Sequence, residues 1–181
     1  MHIFLWVLAS LILGACGSST LRQGETSATP IAVAPSPLRP FPETGGFIHC
    51  VPFARAVTGI EIYGDAWTWW HQAAGRNGRG QRPEIGAVLA LQRDHRLRLG
   101  HVAVVVGVKD SREILVSHAN WGSDGDTRGV VHARQPVIDA SPNNDWTAVR
   151  LMNTKGSFGR VYAAHGFIYQ AATNQATAAM R

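Results

Sequence analysis

The order of apolar and polar residues divides the chain into a helical part and a strand-like part. Apolar positions recur at helical spacing over 51–57, and Gly59 is predicted to end that first helix. A second helix is predicted from Asp65, as its N-cap, to Gly75, with aromatic and apolar residues on one face. Two short helices are therefore expected before any sheet.

From Gly86 onward the pattern changes to short apolar runs, rich in β-branched residues and separated by polar turns. The predicted strands are 86–91, 101–108, 114–119, 130–133, 146–152 and 161–169. Helices that precede an antiparallel sheet predict an α+β fold, in which the N-terminal helices pack on that sheet.

Residues 1–16 have the pattern of a targeting segment rather than of a structural element. Residues 3–13 are apolar but too few to span a bilayer comfortably, and small residues follow them. The ending Leu13-Gly14-Ala15-Cys16 resembles a bacterial lipobox, which implies a signal peptide and lipidation of Cys16. We expect an exported protein, anchored in the membrane by lipid and facing the periplasm or the cell surface. An uncleaved anchor and plain secretion are the alternatives.

Residues 17–46 are rich in Pro, Ser and Thr and show no apolar period, which predicts an extended linker. The folded domain is predicted at 47–169, and the Ala/Thr/Gln-rich residues 170–181 are predicted to form a flexible tail. A chain of 181 residues suits one such domain with appendages, and we expect a monomer.

The chain is basic, with a formal net charge of +5, and its composition is 45% apolar and 16% charged, as in globular proteins. A basic surface suits an anionic partner such as cell-wall polymer, anionic lipid or nucleic acid. Export makes nucleic acid an unsuitable partner. Arginines are frequent between residues 76 and 98, where they either bind anionic glycan or lipid or form a solvated face.

Cys50 is the candidate nucleophile. The chain has two cysteines, and if Cys16 is lipidated, Cys50 has no disulfide partner within the chain. Cys50 precedes a Val-Pro step at a predicted helix start, where unpaired N–H groups and the helix dipole favour a thiolate of lowered pKa. The alternative is that Cys50 is a small core residue.

A cysteine nucleophile needs a base and a group that orients the base. His101 stands at the head of an apolar strand after Gly100, and His118 and Asn120 end the next predicted strand. If these strands pair as a hairpin, either side chain would come close enough to accept the Nδ1–H of His101 and select its tautomer.

Five motifs occur in order between residues 48 and 121: the helix-leading cysteine, Gly-Asp-Ala-x-x-Trp, Gly-Ala-Val-Leu-Ala-Leu, Gly-His-Val-Ala-Val-Val and Ala-Asn-Trp. This set resembles the CHAP domain, the papain-like cysteine, histidine-dependent amidohydrolase/peptidase family. The resemblance implies that Cys50 is the nucleophile and His101 the general base. His118 stands where the family often has an orienting glutamate, and Asn120 matches the family's asparagine, so both remain candidates. The resemblance to the CHAP domain also implies that the protein hydrolyses peptidoglycan amide bonds, as an endopeptidase or an N-acetylmuramoyl-L-alanine amidase.

The remaining candidates concern substrate and metal. Trp67, Trp70 and Trp121 are candidates for a groove that binds sugar and peptide stems, although aromatics at helical spacing also form cores. A zinc site from Cys50, His101 and His118 would use suitable ligand types, but no short paired-ligand motif supports it. We therefore expect no metal and no cofactor. The alternative function is a non-catalytic module on the same fold that binds cell wall or a partner.

Overall fold

The computed structural model describes residues 38–41, 46–122 and 127–171. The predicted signal peptide with Cys16, most of the predicted linker and most of the predicted tail lie outside the described residues. In the part that is described, no helix has the length and apolar character needed to cross a membrane.

Helices are few and short. Helix α1 spans Cys50–Thr58, a 3₁₀ turn spans Ala66–Thr68, and helix α2 spans Trp69–Gln72. Seven strands accompany them: β1 (Arg79–Gly80), β2 (Val88–Leu91), β3 (His101–Val108), β4 (Glu113–Ala119), β5 (Val131–Asp139), β6 (Ala148–Met152) and β7 (Phe158–Ile168). Apart from β1, which was not predicted, the elements match the predicted order, but the second helix is only a 3₁₀ turn and one helical turn.

The prediction of an α+β fold with N-terminal helices packed on an antiparallel sheet is wrong. Strands take up 37% of the described residues and helices 13%, and six antiparallel strands close into a barrel. The strands follow the order β7-β2-β3-β4-β5-β6, and β6 pairs again with β7.

Strand β7 closes the barrel because it is long enough to pair with two different strands. Its first half pairs with β6, from Phe158 opposite Met152 to Ala163 opposite Ala148. Its second half pairs with β2, up to Ile168 opposite Val88. Hydropathy patterns describe each strand alone, and they contain no information on whether the first and last strands of a sheet meet.

The two faces of the barrel wall are both covered, which explains the continuous apolar runs in β2 and β3. Side chains alternate along a strand, so Ala103 and Val105 face the barrel interior while Val102 and Val104 pack under α1. The interior core also contains Trp146. The helices thus cover one outer face of the barrel and present the start of α1 at its edge.

Residues 38–41, which the sequence analysis assigns to the linker, contact the folded domain. The Phe41 ring lies 5.0 Å from the Phe53 ring of α1, and Leu38 also packs against this core. The backbone N–H of Arg39 donates to the Val57 carbonyl at 2.9 Å. Leu38, Arg39 and Phe41 thus lie against α1 and the core beneath it.

Candidate active site

A cavity of about 1030 Å³ opens at the edge of the barrel where α1 and β3 begin and β4 ends. Cys50 and His101 both line it, together with His49, Asn120 and Trp121. The two residues proposed as nucleophile and base thus reach one space from different elements.

Cys50 is the first residue of α1, as the Val-Pro step predicts, and Gly59 in the left-handed conformation ends the helix. The thiol is partly buried. Burial raises the pKa of the Cys50 thiol, while the backbone N–H groups of Val102, Val51 and Cys50 itself oppose the rise. The predicted lowering of this pKa is therefore wrong, because loss of hydration outweighs the helix N-terminus.

His101 begins β3 and is almost completely buried, with 3% of its surface exposed. Burial, followed by the nearby His118 and His132 imidazoles, lowers the pKa of His101 well below its usual value. Gly100 before it has a φ of +67°, and the backbone of Trp67 packs against the glycine. This close approach positions the start of β3 beside the 3₁₀ turn.

His118 is the residue that contacts His101. The Nε2 atom of His101 lies 2.7 Å from Nδ1 of His118, and His118 is fully buried. The contact uses Nε2 of His101 rather than the Nδ1 named in the sequence analysis. Strand alternation explains the meeting, because His118 shares the interior-facing side of β4 with Ile114 and Val116. Burial lowers the pKa of His118 to about 4.

Asn120 lies at the cavity but does not bond to His101. Strand β4 ends at Ala119, and Asn120 has a φ of 58°, so the alternation that would place it beside His118 is broken. Its Oδ1 accepts from the Gly129 N–H at 2.9 Å, and its Nδ2 lies 3.1 Å from Nδ1 of His49. Of the two candidate orienting residues, the structure brings His118 to His101.

The three predicted substrate tryptophans lie in different places. The ring of Trp121 lines the cavity and lies 4.6 Å from the His101 ring. The Trp67 ring instead lies under the Arg93 guanidinium at 4.1 Å, and Trp70 stacks on His165 at 5.6 Å. Neither of these two is among the residues that line the cavity.

The loop before His101 and strand β7 both contribute basic side chains that were not predicted as site residues. Arg96, Arg98 and Arg160 line the cavity. Asp94 folds this loop, since its Oδ1 accepts from the backbone N–H groups of Arg96 and Leu97, each at 2.7 Å. Its other oxygen pairs with Arg160 at 3.1 Å. The frequent arginines between residues 76 and 98 were the available sequence signal for Arg96 and Arg98. Only the fold shows that these two line the cavity.

Gln135 was missed altogether. Its amide contacts His118 Nε2 through Oε1 and the Met152 carbonyl through Nε2. The predicted strand 130–133 stops before it, because a polar Arg-Gln pair and Pro136 follow, yet β5 continues to Asp139. No local signal distinguishes this glutamine from a loop residue.

A metal centre is not indicated by the side chains of residues 38–41, 46–122 and 127–171. Within these ranges, no group of three or more His, Cys, Asp and Glu residues is arranged to coordinate a metal ion. His101 instead contacts His118 through its Nε2 atom and lines the same cavity as Cys50.

Comparison with known proteins gives one positive result. None of the curated proteins compared with the chain matches it. The family model of the CHAP domain matches residues 42–120, a range that includes Cys50, His101, His118 and Asn120. CHAP domains are generally hydrolases that act on peptidoglycan, in a family of amidases and peptidases. The match confirms the resemblance seen in the motifs: residues 42–120 of this chain are similar to the CHAP domain family.

Proposed function

We propose that this protein is a cysteine amidohydrolase or endopeptidase that cleaves amide bonds in peptidoglycan, with Cys50 as nucleophile and His101 as general base. The main support is the shared cavity: Cys50 and His101 both line it, and the Cys50 sulfur faces the N–H of Val102, the residue after His101. His118 is proposed to orient His101, because its Nδ1 lies 2.7 Å from Nε2 of His101 and leaves Nδ1 of His101 available for the cysteine.

The resting site is proposed to contain a neutral thiol and a neutral imidazole. Burial raises the pKa of Cys50 and lowers that of His101, so both uncharged forms are favoured. The imidazole then acts as a general base during attack, and no preformed thiolate is needed.

In the first half-reaction, the Cys50 sulfur forms a bond to the amide carbonyl carbon as its proton passes to Nδ1 of His101. The resulting oxyanion accepts a hydrogen bond from the Cys50 backbone N–H at the start of α1. His101 then gives its proton to the leaving nitrogen, the C–N bond breaks, and a thioester with an amine product results.

In the second half-reaction, His101 removes a proton from water, and the water oxygen attacks the thioester carbon. The C–S bond breaks, the carboxylic acid leaves, and the proton returns from His101 to the sulfur. The enzyme regains its starting state, and the net reaction is hydrolysis of one amide bond.

The cavity wall suits an anionic peptide substrate. Arg96 and Arg98 line it from the loop before His101, and neither forms an ion pair with an acidic side chain in the described part of the chain. Peptide stems of peptidoglycan contain free carboxylates, which guanidinium groups bind through paired hydrogen bonds. Trp121 supplies an apolar wall beside His101.

A second candidate is a non-catalytic module that binds cell wall. One observation favours it: the raised pKa of the Cys50 thiol, which lowers its reactivity when the cavity is empty. This candidate predicts binding to sacculi without release of fragments.

The test is digestion of purified sacculi, followed by mass spectrometry of the released muropeptides. Wild type should release fragments, and Cys50→Ala should bind sacculi but release none. Cys50→Ser serves as a matched control, because it keeps the size of the side chain and removes the sulfur. Release by Cys50→Ala at the wild-type rate would contradict the proposed mechanism, whereas binding without release by wild type would favour the module. The masses also identify the bond that is cut.

We also propose that the domain works as a monomer in the cell envelope, tethered through lipid on Cys16. The support is the lipobox-like ending and the Pro-rich residues that follow it. A tether of this kind would give the domain access to the wall while the lipid stays in the membrane.

A further inference from the structure

The Gln135 side chain connects the histidine pair to the backbone of β6. Its Nε2 donates to the Met152 carbonyl, and its Oε1 lies against Nε2 of His118. His118 Nδ1 in turn lies 2.7 Å from Nε2 of His101. Four consecutive strands, β3 to β6, thus contribute to one row of hydrogen bonds at the end of the barrel. Gln135 lies beyond the residues that the family model matches.

The direction of each hydrogen bond in this row follows from chemistry. A backbone carbonyl only accepts, so the Gln135 amide nitrogen must point to Met152 and its oxygen to His118. The amide oxygen also only accepts, so Nε2 of a neutral His118 carries the proton and Nδ1 carries a lone pair. That lone pair accepts from Nε2–H of His101.

The same reasoning then assigns the last nitrogen. A neutral imidazole has one N–H, and if Nε2 of His101 donates to His118, Nδ1 of His101 carries the lone pair. This nitrogen is the one that a base beside Cys50 must use. Both histidines are buried, which keeps each ring neutral and makes the sequence of donors and acceptors unique.

We propose that Gln135 is a positioning residue that selects the tautomers of both His118 and His101, and so leaves the Nδ1 lone pair of His101 free to accept the proton of Cys50. The assignment of the tautomers rests on the hydrogen-bond geometry and on the burial of both rings. Its catalytic consequence rests on the proposed function. His132 is close enough to His118, with ring centroids 5.7 Å apart, to affect its charge, but its Nε2 contacts the Thr127 carbonyl at 3.2 Å and does not enter the row.

The direct test is long-range ¹H–¹⁵N NMR of the full chain labelled at histidine, which distinguishes Nδ1–H from Nε2–H tautomers. Wild type at pH 8 should show His101 and His118 both as Nε2–H. A wild-type His101 that carries its proton on Nδ1 overturns the proposal, whatever the variants do.

Variants separate positioning from packing. Gln135→Met keeps the length of the side chain and removes both the donor and the acceptor. His118 should then lose its preference for the Nε2–H tautomer. The kcat should fall by at least about 10-fold and by at most the ~10⁴-fold that a wrong tautomer costs in a Ser-His-Asp triad. The KM should change less than about 2-fold. Gln135→Glu keeps the acceptor, and its carboxylate should raise the pKa of His118 above the wild-type value. At a pH above this raised pKa, the variant should retain the Nε2–H tautomers and most of the activity. Below that pKa the variant should lose activity, which moves the acid limb of its pH profile upward.

Gln92→Leu is the matched control, because Gln92 also donates to a backbone carbonyl, that of Ala164 at 3.2 Å, but contacts neither histidine. It should leave both tautomers and kcat unchanged. Wild-type tautomers in Gln135→Met would contradict the proposal. If the NMR result is as expected but wild type releases no muropeptides, the tautomer assignment stands and the proposed function fails.

Discussion

Replacing Gly100 with alanine should damage the site through its backbone, without touching a catalytic side chain. A Cβ at this position would lie 2.7 Å from the Trp67 backbone nitrogen and 2.8 Å from its Cα. These atoms belong to the 3₁₀ turn, whose Trp67 N–H donates to the Leu99 carbonyl at 2.9 Å. The turn and the start of β3 must therefore separate, and His101, the next residue, must move with the strand.

The magnitude has two parts. A φ of +67° at Gly100 costs a residue with a Cβ about 1–2 kcal/mol, and forcing an extra carbon into a packed contact costs about 1–3 kcal/mol more. Part of this is offset, since alanine loses less backbone entropy on folding, by about 0.4–1 kcal/mol. The expected net loss in the free energy of unfolding is about 2–4 kcal/mol.

Gly75→Ala provides the comparison, because Gly75 has a similar φ of +75° but no atom within 4 Å of the added carbon. Its expected cost is about 1 kcal/mol, from the φ value alone. Both variants would be measured by denaturant unfolding and by muropeptide release. Gly100→Ala should lose stability and also activity in the fraction that stays folded, whereas Gly75→Ala should keep full activity. Equal losses of stability in the two variants, or full activity in Gly100→Ala, would refute the reasoning.

Three further predictions address charge and targeting. Burial lowers the pKa of His118 from 6.5 to about 4, so a stabilisation of up to about 3 kcal/mol should be present above pH 6.5 and lost as the pH falls towards 4. The free energy of unfolding, measured across this pH range, should depend less on pH in His118→Gln than in wild type. The exposed control His95→Gln should show the wild-type dependence. Replacing both Arg96 and Arg98 with alanine should raise KM for muropeptides about 3- to 10-fold at low salt with little change in kcat. Arg76 does not line the cavity, so an equal rise in KM for Arg76→Ala would argue against carboxylate binding by Arg96 and Arg98. Cys16→Ser should abolish incorporation of labelled fatty acid and release the protein from the membrane fraction, while labelling of the variant at the wild-type level would exclude Cys16 as the lipid site.

Local signals were sufficient for the helix that presents the nucleophile. Pro52 in the first turn and Gly59 after the last predict both ends of α1, because capping depends on a few adjacent residues. The hairpin of β3 and β4 was predictable for the same reason, since a short polar turn separates two apolar runs. The hairpin then brings His118 to His101 through side-chain alternation.

The same local signals failed to predict the end of β5 and the orientation of Asn120, because contacts with residues distant in the chain decide both. Strand β5 continues through Arg134, Gln135 and Pro136, although a polar pair and a proline predict its end, because β4 pairs with it along that length. Asn120 was expected on the face of His118, but its left-handed backbone turns it away, and its side-chain Oδ1 accepts from the N–H of the distant Gly129.

The sequence by itself determined the resemblance to the CHAP domain, the nucleophile and base candidates, and the order of most of the elements, because these depend on residue type and short-range spacing. Only the tertiary structure decided that the sheet closes into a barrel, since that depends on β7 pairing with two strands far apart in the chain. It also decided the direction in which burial shifts the Cys50 pKa and the contacts that Gln135 makes with His118 and Met152. Burial and long-range hydrogen bonds come from the whole fold, and no window of adjacent residues contains them.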